Sequence, residues 1–540
     1  MAFGLFVPVR LHTTWSEIRV AATIRCELKC GTSFVDFHFG KTKEGVMKDK
    51  EKHLTEYTLD PENWESMKAL GHRMLDDMMA HLQDIRSQSF TMPTDRAIRD
   101  VCTPLTLEGE GEEKVYKVFL KNILPYAGSN KSPRFWGVVA GTGSAYGMLA
   151  ELLRGGVNGA AEGLDCGGYL HRQVIDWIKE MLGYPEEAGG ILVSGGSEAN
   201  FTGLAVARNA KAVVDIKSQG VQGLPQKMTL YVSDQGHESL ERCVELLGLG
   251  NEALRRIPTN DEYQIRLDTL RETIEEDRRQ GHQPFCVIGC AGTTNSGAFD
   301  DLSVLANLCK EENLWLHVDG AFGAWVRLSD THNQLVSGME RADSLAVDLH
   351  KWMYMPYGIG CTLVKDKLAH YSTFVYGHEA QYLKTGMGYV EDQLYNPHHL
   401  ALPLSRSFPS LIAYMLLRAH GKNKYKRLIQ QNIDQISYLA ELIEKEPDME
   451  ITAPVASNVV CFRYRPKGLG ERELEELNMM INRDLNNISF WMISDTTIRG
   501  RYMLRACNVN HRSQRKDFEY LVEEVKEIGE RNLSQVKKST

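Results

Sequence analysis

The sequence predicts an α/β protein whose central sheet is mostly parallel, with helices on both faces and a smaller α+β domain at the C-terminal end. Between about residues 189 and 364, short apolar runs alternate with helical patterns, as in parallel strands joined by crossover helices. The runs are apolar throughout, as buried parallel strands are when helices cover both faces. After about Lys422, long amphipathic patterns flank NVVCFRY, ISFWMIS and RYMLRAC, which indicates the smaller domain.

A chain of 540 residues is too long for one compact core. The segment from about Asp60 to Ser87 has apolar residues every three or four positions, which predicts an amphipathic helix. Its apolar stripe needs cover from the main domain or from a second subunit, which favours a homodimer. We therefore expect an N-terminal appendage over 1–58, a helical segment over 59–150, a large α/β domain over 151–421 and a small domain over 422–540.

The composition excludes several classes of protein. A net charge of −9, from 62 basic and 71 acidic residues without a basic run, argues against a nucleic-acid partner. No window approaches the ~20 apolar residues of a membrane helix, and Pro8 interrupts the only apolar N-terminal stretch. The 11 cysteines are scattered, and the pair Cys26 and Cys30 lacks the partners of a metal site. We expect no metal, no membrane span and a cytoplasmic location.

The first chemical signal is a glycine-rich turn. In parallel sheets, ligands bind beyond the carboxyl ends of the strands. The apolar run ILVS is followed by Gly195, Gly196 and Ser197 at the start of a helical pattern. Glycines let the backbone approach a ligand closely, and a helix N-terminus offers free N–H groups to an anion. The turn is a candidate phosphate site, although such turns also occur without any ligand.

Two further strand ends carry ionisable side chains. Asp319 ends LWLHVD, and the small Ala321 after it leaves room for a flat ring. A carboxylate there could hold a proton on a heterocyclic nitrogen, or it could cap the next helix. The run SLAVD ends at Asp348 and is followed by His350 and Lys351. A lysine is ordinarily solvated, but a desolvated lysine becomes a good amine nucleophile.

Histidine and threonine follow two more strands. His237 lies just past TLYVSD, where a purely structural histidine is the alternative. Thr293 and Thr294 follow FCVIGCAG, where the alternative is that they cap the helix beginning near Asp301. An anion cradle, an acid, an amine, an imidazole and hydroxyl groups at one edge of a sheet together indicate a catalytic site.

The order of these motifs resembles that of the group II pyridoxal-phosphate-dependent amino-acid decarboxylases, which include aromatic amino-acid, glutamate and cysteine sulfinate decarboxylases. The motifs are VSGGSEAN, SDQGHESLERC, GTTNSGAFDDL, LHVDGAFG and DSLAVDLHKW, and the similarity runs from about Asp60 to Gly529. The resemblance implies the aspartate-aminotransferase-like fold, known as fold type I, and a homodimer with active sites at the subunit interface. It also implies pyridoxal 5'-phosphate as the cofactor.

The resemblance assigns a role to each candidate residue. Lys351 would bind the cofactor covalently, Asp319 would pair with the pyridinium nitrogen, and Ala321 and His237 would lie on opposite faces of the ring. An anionic Asp348 cannot accept a phosphate without a proton, so its backbone is an alternative ligand. The phosphate and the ring substituents would be bound by Gly195, Gly196, Ser197, Thr294, Asp348 and His350.

A tyrosine is expected to complete the site. Tyr382 in AQYLK matches a tyrosine on a mobile loop of the neighbouring subunit in the family, about thirty residues beyond the lysine. It would return a proton to Cα, although a plain surface tyrosine is the alternative. Tyrosine at this position, together with His237, favours simple decarboxylation over the oxidative deamination of some relatives.

The substrate is less well defined by the sequence. Relatives that act on aromatic amino acids have aromatic side chains where this chain has Val138, Val139 and Gly159. Trp136 could supply an aromatic wall instead, and Arg406 could bind an acidic side chain. An aromatic L-amino acid is the preferred prediction, with apolar and acidic amino acids left open.

Three other functions remain as alternatives. An aminotransferase on the same fold would need a cation for the α-carboxylate, and Arg505 is the candidate. An aldehyde synthase would carry out the oxidative reaction. A non-catalytic interaction protein would have no use for Lys351, Asp319 and His237 together.

Overall fold

The computed structural model describes residues 57–89, 92–159, 166–375, 396–487 and 491–539. The chain divides into two units, Met1–Met67 and Lys68–Thr540. In the first unit the description begins at residue 57 and takes in the first turn of a helix. Within the described ranges, no helix is both long enough and apolar enough to cross a lipid bilayer.

The α-helices precede, connect and follow the strands. The longest, α12, is interrupted at Gly421, whose φ of 69° is left-handed. In chain order the helices are α1 (Trp64–Gln83), α2 (Asp95–Val101), α3 (Glu112–Val118), α4 (Ala145–Val157), α5 (Cys166–Leu182), α6 (Gly196–Lys211), α7 (Ile216–Gln219), α8 (Ser239–Leu246), α9 (Leu267–Arg279), α10 (Leu302–Glu311), α11 (Lys367–Phe374), α12 (Pro409–Lys445), α13 (Glu471–Asn487) and α14 (Arg515–Ser539).

The central sheet has seven strands in the order β1-β7-β6-β5-β4-β2-β3. All neighbouring pairs are parallel except those that β7 makes with β1 and β6. The prediction of a mostly parallel sheet covered by helices is therefore confirmed. The strands are β1 (Gly189–Val193), β2 (Met228–Ser233), β3 (Leu254–Ile257), β4 (Gln283–Cys290), β5 (Trp315–Asp319), β6 (Ser344–Asp348) and β7 (Gly360–Val364).

The edge strand β3 was not predicted from the sequence. Its residues LRRI pair with β2 in parallel register, but Arg255 and Arg256 interrupt the apolar character that marks the other strands. An edge strand is open to solvent on one side and tolerates charged residues there. The pattern of continuous apolar runs therefore could not detect it.

A second, antiparallel sheet follows in the order β10-β11-β9-β8, which confirms the small C-terminal α+β fold. Only the end of the predicted run ISFWMIS belongs to a strand: residues 488–490 lie outside the described residues, Trp491 and Ile493 are buried in the core, and pairing begins at Ser494. The predicted domain limits at residues 150 and 421 stay a prediction. The strands are β8 (Met449–Ile451), β9 (Val459–Tyr464), β10 (Ser494–Ile498) and β11 (Arg501–Cys507).

The predicted N-terminal helix is present as α1. Leu70 is its one buried residue, and Met74 on the predicted apolar stripe is 44% exposed. Much of the stripe is therefore not covered within the described part of a single chain.

Candidate active site

A cavity of about 570 Å³ lies at the carboxyl ends of the parallel strands. Its volume is within the range of small-molecule sites. The structure brings all the predicted cofactor-binding residues together here, although they come from five separate segments of the sequence. They are Gly195, Gly196, Ser197, His237, Thr294, Asp319, Ala321, Asp348, His350 and Lys351.

The glycine turn between β1 and α6 forms one end of the cavity. Gly195 precedes the helix, and no side chain caps its first N–H groups. A Cβ atom at Gly195 would lie 3.0 Å from His350 Cε1, and one at Gly196 would lie 2.9 Å from Asp348 Oδ2. Only glycine therefore fits comfortably in this turn. Uncapped N–H groups at the start of a helix suit an anion such as a phosphate.

Asp319 ends β5 and is 9% exposed. Asn200 Nδ2 donates to its Oδ2 over 3.0 Å, and the backbone N–H of Ala321 donates to its Oδ1 over 3.2 Å. Because both carboxylate oxygens are held, the orientation of the carboxylate in the cavity wall is fixed.

A buried chain of hydrogen bonds continues from Asn200 into the sheet. Asn200 Oδ1 lies 2.9 Å from His317 Nε2, and His317 Nδ1 lies 2.8 Å from Ser344 Oγ. Trp315 Nε1, which can only donate, donates to the same Ser344 Oγ over 2.8 Å. The direction of each hydrogen bond is then set. Ser344 Oγ donates to His317 Nδ1, and His317 Nε2 donates to Asn200 Oδ1. Asn200 Nδ2 in turn donates to Asp319. Burial lowers the pKa of His317 to about 4, so the imidazole is neutral, as this direction requires.

Lys351 follows β6 and faces a buried carboxylate. Its Nζ lies 2.9 Å from Asp348 Oδ2, and the side chain of Asp348 is fully buried while that of Lys351 is 23% exposed. His350 Nε2 lies 3.7 Å from the same oxygen, and burial lowers the pKa of His350. The Tyr357 ring stacks on His350 with the ring centroids 4.7 Å apart. The ion pair with Asp348 therefore holds the Lys351 amine beside the glycine turn.

His237 lies on the cavity wall, where its orientation is fixed by its neighbour. The backbone N–H of Ser239 donates to His237 Nδ1 over 3.1 Å, and Ser239 Oγ lies 2.8 Å from the same atom. Nδ1 is therefore an acceptor, and a neutral His237 carries its proton on Nε2.

The two threonines differ in their surroundings. Thr293 is 3% exposed, and its hydroxyl group is bonded to Ser296 Oγ and to the backbone N–H of Ala298. Thr294 lines the cavity beside it. Neither caps α10, because Asp301 caps that helix itself. The capping alternative was therefore wrong.

The residues considered for substrate selection have separate locations. Val138 and Val139 line the cavity, whereas a Cβ at Gly159 would lie 3.5 Å from Phe408, outside the cavity wall. The prediction of Trp136 as an aromatic wall was wrong. Trp136 is fully buried in the core of the small domain and stacks on Phe518 at 4.4 Å, because its large apolar surface is covered there.

Neither candidate arginine lines the cavity. Arg406 donates to the backbone oxygen of Leu192 in β1. Arg505 is 3% exposed, and its Nη1 donates to Gly137 O over 2.9 Å and to Ser494 Oγ over 3.1 Å. Among the described residues of the cavity wall there is no arginine.

Asn200 and His317 are site residues that the sequence analysis did not identify. His317 was detectable, because it precedes Asp319 by two positions and alternate strand residues point to the same face. Asn200 could not be identified in this way, because its contact with Asp319 depends on how α6 packs over the sheet. Tyr382 lies outside the described residues.

The cofactor implied by the resemblance fits these residues. The glycine cradle suits a phosphate, the held carboxylate of Asp319 suits a protonated ring nitrogen, and Lys351 supplies an amine between them. Apart from the ion pair with Lys351, neither oxygen of Asp348 has a hydrogen-bond donor among the described residues. Among the described residues that line the cavity, Asp348 is thus the buried side chain that lacks a hydrogen-bond donor.

Comparisons with known proteins show relatives that match most of the chain. The chain is 32% identical over 472 residues to an aromatic-L-amino-acid decarboxylase of Bacillus atrophaeus, covering 86% of this chain and 96% of the relative. It is 26% identical to the aromatic-L-amino-acid decarboxylase of Mus musculus, covering 81% and 91%. The fold is shared with the crystal structure of Oryza sativa TDC with PLP and tryptamine, with a TM-score of 0.80, 21% identity and coverage of 88% and 100%.

A family model described as the pyridoxal-dependent decarboxylase conserved domain matches residues 99–465. The match contains every strand of the seven-stranded sheet and every described residue of the predicted cofactor site. Because it takes in more than half of the 540 residues, the chain belongs to the pyridoxal-dependent decarboxylase family.

Proposed function

We propose that the protein removes the α-carboxylate of an L-amino acid with pyridoxal 5'-phosphate, releasing carbon dioxide and the amine, and that an aromatic amino acid is the preferred substrate. The observation that carries the proposal is the meeting of Lys351, Asp319 and the glycine turn in one cavity. The relatives named as aromatic-L-amino-acid decarboxylases support the substrate class.

Each residue of the site has a separate proposed role in the reaction. When bound, the cofactor supplies an electron sink for the pair released as the Cα–carboxylate bond breaks. Lys351 holds the cofactor covalently, and Gly196 and Ser197 bind its phosphate. Asp319, fixed by Asn200, keeps a proton on the ring nitrogen. His237 forms the opposite wall and carries a proton on Nε2.

The surroundings of Arg505 argue for decarboxylation over amino transfer. A cation on the α-carboxylate would stabilise the ground state that decarboxylation must destroy. Arg505, the candidate for that role, does not line the cavity, and its Nη1 is bonded to Gly137 O and Ser494 Oγ. Val138 and Val139 present apolar surface to the cavity, against which an aromatic ring can pack.

The central experiment incubates the purified protein with the cofactor and treats it with borohydride. We expect the cofactor to be fixed on Lys351, and Lys351→Ala to lose both the fixed cofactor and turnover. Carbon dioxide release is then measured across a panel of L-amino acids, with aromatic ones expected to react fastest. A keto acid with stoichiometric amino transfer and no gas would favour the aminotransferase, and oxygen uptake with an aldehyde product would favour the aldehyde synthase.

We further propose that the protein is a homodimer. Helix α4 buries Gly147 and Ala150, yet its apolar residues Leu152, Leu153 and Val157 are 64%, 50% and 58% exposed. Large apolar side chains grouped on a helix are normally covered by a partner surface. A second copy of the chain is the simplest cover, because most soluble oligomers are symmetric homo-oligomers.

Sedimentation of the full chain tests the dimer. The wild-type protein is expected to sediment as a dimer of 61.0 kDa chains, and Leu152→Lys to shift it toward the monomer. Leu246→Lys is the matched control, because Leu246 is 70% exposed on α8. Wild-type protein that is monomeric at micromolar concentration would contradict the proposal.

A cytoplasmic location and the lack of a nucleic-acid partner stay predictions. They depend on the scattered cysteines and on the net charge of −9. Fractionation of the native host cells would test the first, and a filter-binding assay with mixed DNA and RNA would test the second.

A further inference from the structure

We propose that Asp348 takes up a proton when the phosphate of the cofactor binds at the glycine turn, so that cofactor affinity falls as the pH rises. The proposal rests on the proposed function, and in particular on the use of Gly195, Gly196 and Ser197 as the phosphate site. It concerns a buried carboxylate in the position where an anionic ligand is expected.

The carboxylate lies directly against the turn. A Cβ at Gly196 would be 2.9 Å from Asp348 Oδ2, and Cβ atoms at Gly195 and Gly360 would be 3.7 and 2.8 Å from Oδ1. A phosphate oxygen bound to the N–H of Gly196 lies ~2.9 Å from that nitrogen. The two anionic groups would therefore be neighbours, and like charges repel strongly when one of them is fully buried.

The surrounding groups offset the charge of Asp348 less well once Lys351 carries the cofactor. Lys351 Nζ lies 2.9 Å away and offsets the charge in the cofactor-free protein, but after covalent attachment this nitrogen is no longer a free ammonium. Burial lowers the pKa of His350 and therefore favours its neutral form. Burial raises the pKa of Tyr357 and of the Cys361 thiol, so both stay uncharged.

A proton on Asp348 removes this conflict. A carboxylic acid can donate one hydrogen bond to a phosphate oxygen, whereas a carboxylate can only accept. The proton comes from solvent and is released again when the cofactor leaves, so one proton is taken up for each cofactor bound. By linkage, the dissociation constant then rises about tenfold for each unit of pH. The isosteric Asp348→Asn has a permanent donor and no charge, so it needs no proton.

The test compares wild-type protein and Asp348→Asn, both depleted of cofactor, by titration with pyridoxal 5'-phosphate between pH 7 and 9. In this range the phosphate of the free cofactor is already a dianion, because its second pKa is about 6. The slope of the logarithm of the dissociation constant against pH is compared between the two proteins. We expect this slope to be greater by about one in the wild-type protein than in the variant. The variant should bind at least tenfold more tightly at pH 9.

Pyridoxal, which lacks the phosphate, is the control ligand. Its affinity should have the same pH dependence in both proteins, since Asp348 then faces no anion. Calorimetry in buffers of different ionisation enthalpy should count one more proton taken up with the phosphorylated ligand than with pyridoxal in the wild-type protein. This measurement counts the proton even if Asp348→Asn does not fold.

The outcomes separate the two proposals. Equal proton uptake for both ligands, or equal pH slopes in the two proteins, would overturn the role of Asp348 while leaving the enzyme assignment intact. If borohydride fixes no cofactor on wild-type Lys351, the proposed function itself fails.

Discussion

The amide Nδ2 of Asn200 on α6 lies 3.0 Å from the carboxylate Oδ2 of Asp319 at the end of β5. This contact joins the helix that begins at the glycine turn to the strand that carries the acid of the site. The other side of the Asn200 amide accepts from His317, so one side chain both orients the acid and connects it to the sheet.

We expect Asn200→Leu to reduce kcat/KM by about 10- to 100-fold. The substitution removes a hydrogen bond to a charged group, worth about 1.5–3 kcal/mol, and each 1.36 kcal/mol is about tenfold in rate. Steady-state decarboxylation measures the loss. The pH at which the absorption band of the bound cofactor titrates should also change, which a purely structural role would not cause.

Asn200→Gln serves as the control for this prediction, because it keeps the amide but lengthens the side chain. It should retain more of the wild-type spectrum than the leucine variant. Unchanged spectral titration in Asn200→Leu would show that Asp319 is held adequately by the N–H of Ala321 alone.

The positions of Gly195, Asp319 and Lys351 could be predicted because each directly follows a strand or begins a helix after one. Parallel strands bring their carboxyl ends to a common edge, so a linear pattern is enough to place these residues together. Asn200 could not be placed, because its partner is 119 positions away and depends on the packing of α6 over β5.

Trp136 was predicted to line the cavity, and this prediction was wrong. It is close in sequence to Val138 and Val139, which do line the cavity. This closeness suggested that Trp136 lines the cavity as well. The segment from Trp136 to Val139 is not a regular strand, however, and Trp136 is buried on the small domain with Trp491 and Phe518. Proximity in sequence did not determine which core it would join.

A second prediction concerns the ion pair between Lys351 and Asp348. Lys351→Ala should lower the free energy of unfolding of the cofactor-free protein by roughly 3 kcal/mol, because it leaves a fully buried carboxylate without its cation. The double variant Lys351→Ala/Asp348→Asn should recover most of this loss, since no charge remains to be paired. Denaturant unfolding of the cofactor-free proteins measures both. A double variant no more stable than Lys351→Ala would contradict the prediction.

Acid stability depends on Asp277, far from the cavity. Burial raises the pKa of Asp277, but hydrogen bonds from Arg255, Tyr231 and His282 outweigh it and lower the pKa to about 2. In an unfolded chain the value is about 3.9. The stabilisation is therefore complete above about pH 4 and is lost as the pH falls toward 2.

Asp277→Asn should be less stable than the wild-type protein at pH 7, and its stability should fall less steeply between pH 5 and pH 2. Unfolding midpoints measured across this range provide the comparison. Parallel pH profiles for the two proteins would mean that other carboxylates govern acid unfolding.

The side chain of Asp517 on α14 is fully buried and joins two arginines from the segment before the sheet. Its Oδ1 accepts from Arg86 Nη1 over 2.9 Å and from Arg134 Nε over 3.1 Å. The arginines are 34% and 25% exposed, so they keep part of their hydration. Its Oδ2 accepts from the backbone N–H of Gln514, which fixes the start of the helix.

Asp517→Asn should therefore cost roughly 2–4 kcal/mol of stability, because it leaves two partly buried cations without a counter-ion. Glu519→Gln is the matched control on the same helix: Glu519 is exposed and contacts Tyr438, so its loss should change stability by less than about 0.5 kcal/mol. Urea unfolding of the cofactor-loaded proteins gives both values, and cofactor binding should be unchanged in each. If both variants unfold at the wild-type midpoint, this contact contributes no stability, and the segment containing Arg86 and Arg134 must be held to α14 by its other contacts, such as that of Arg134 with the Tyr520 ring.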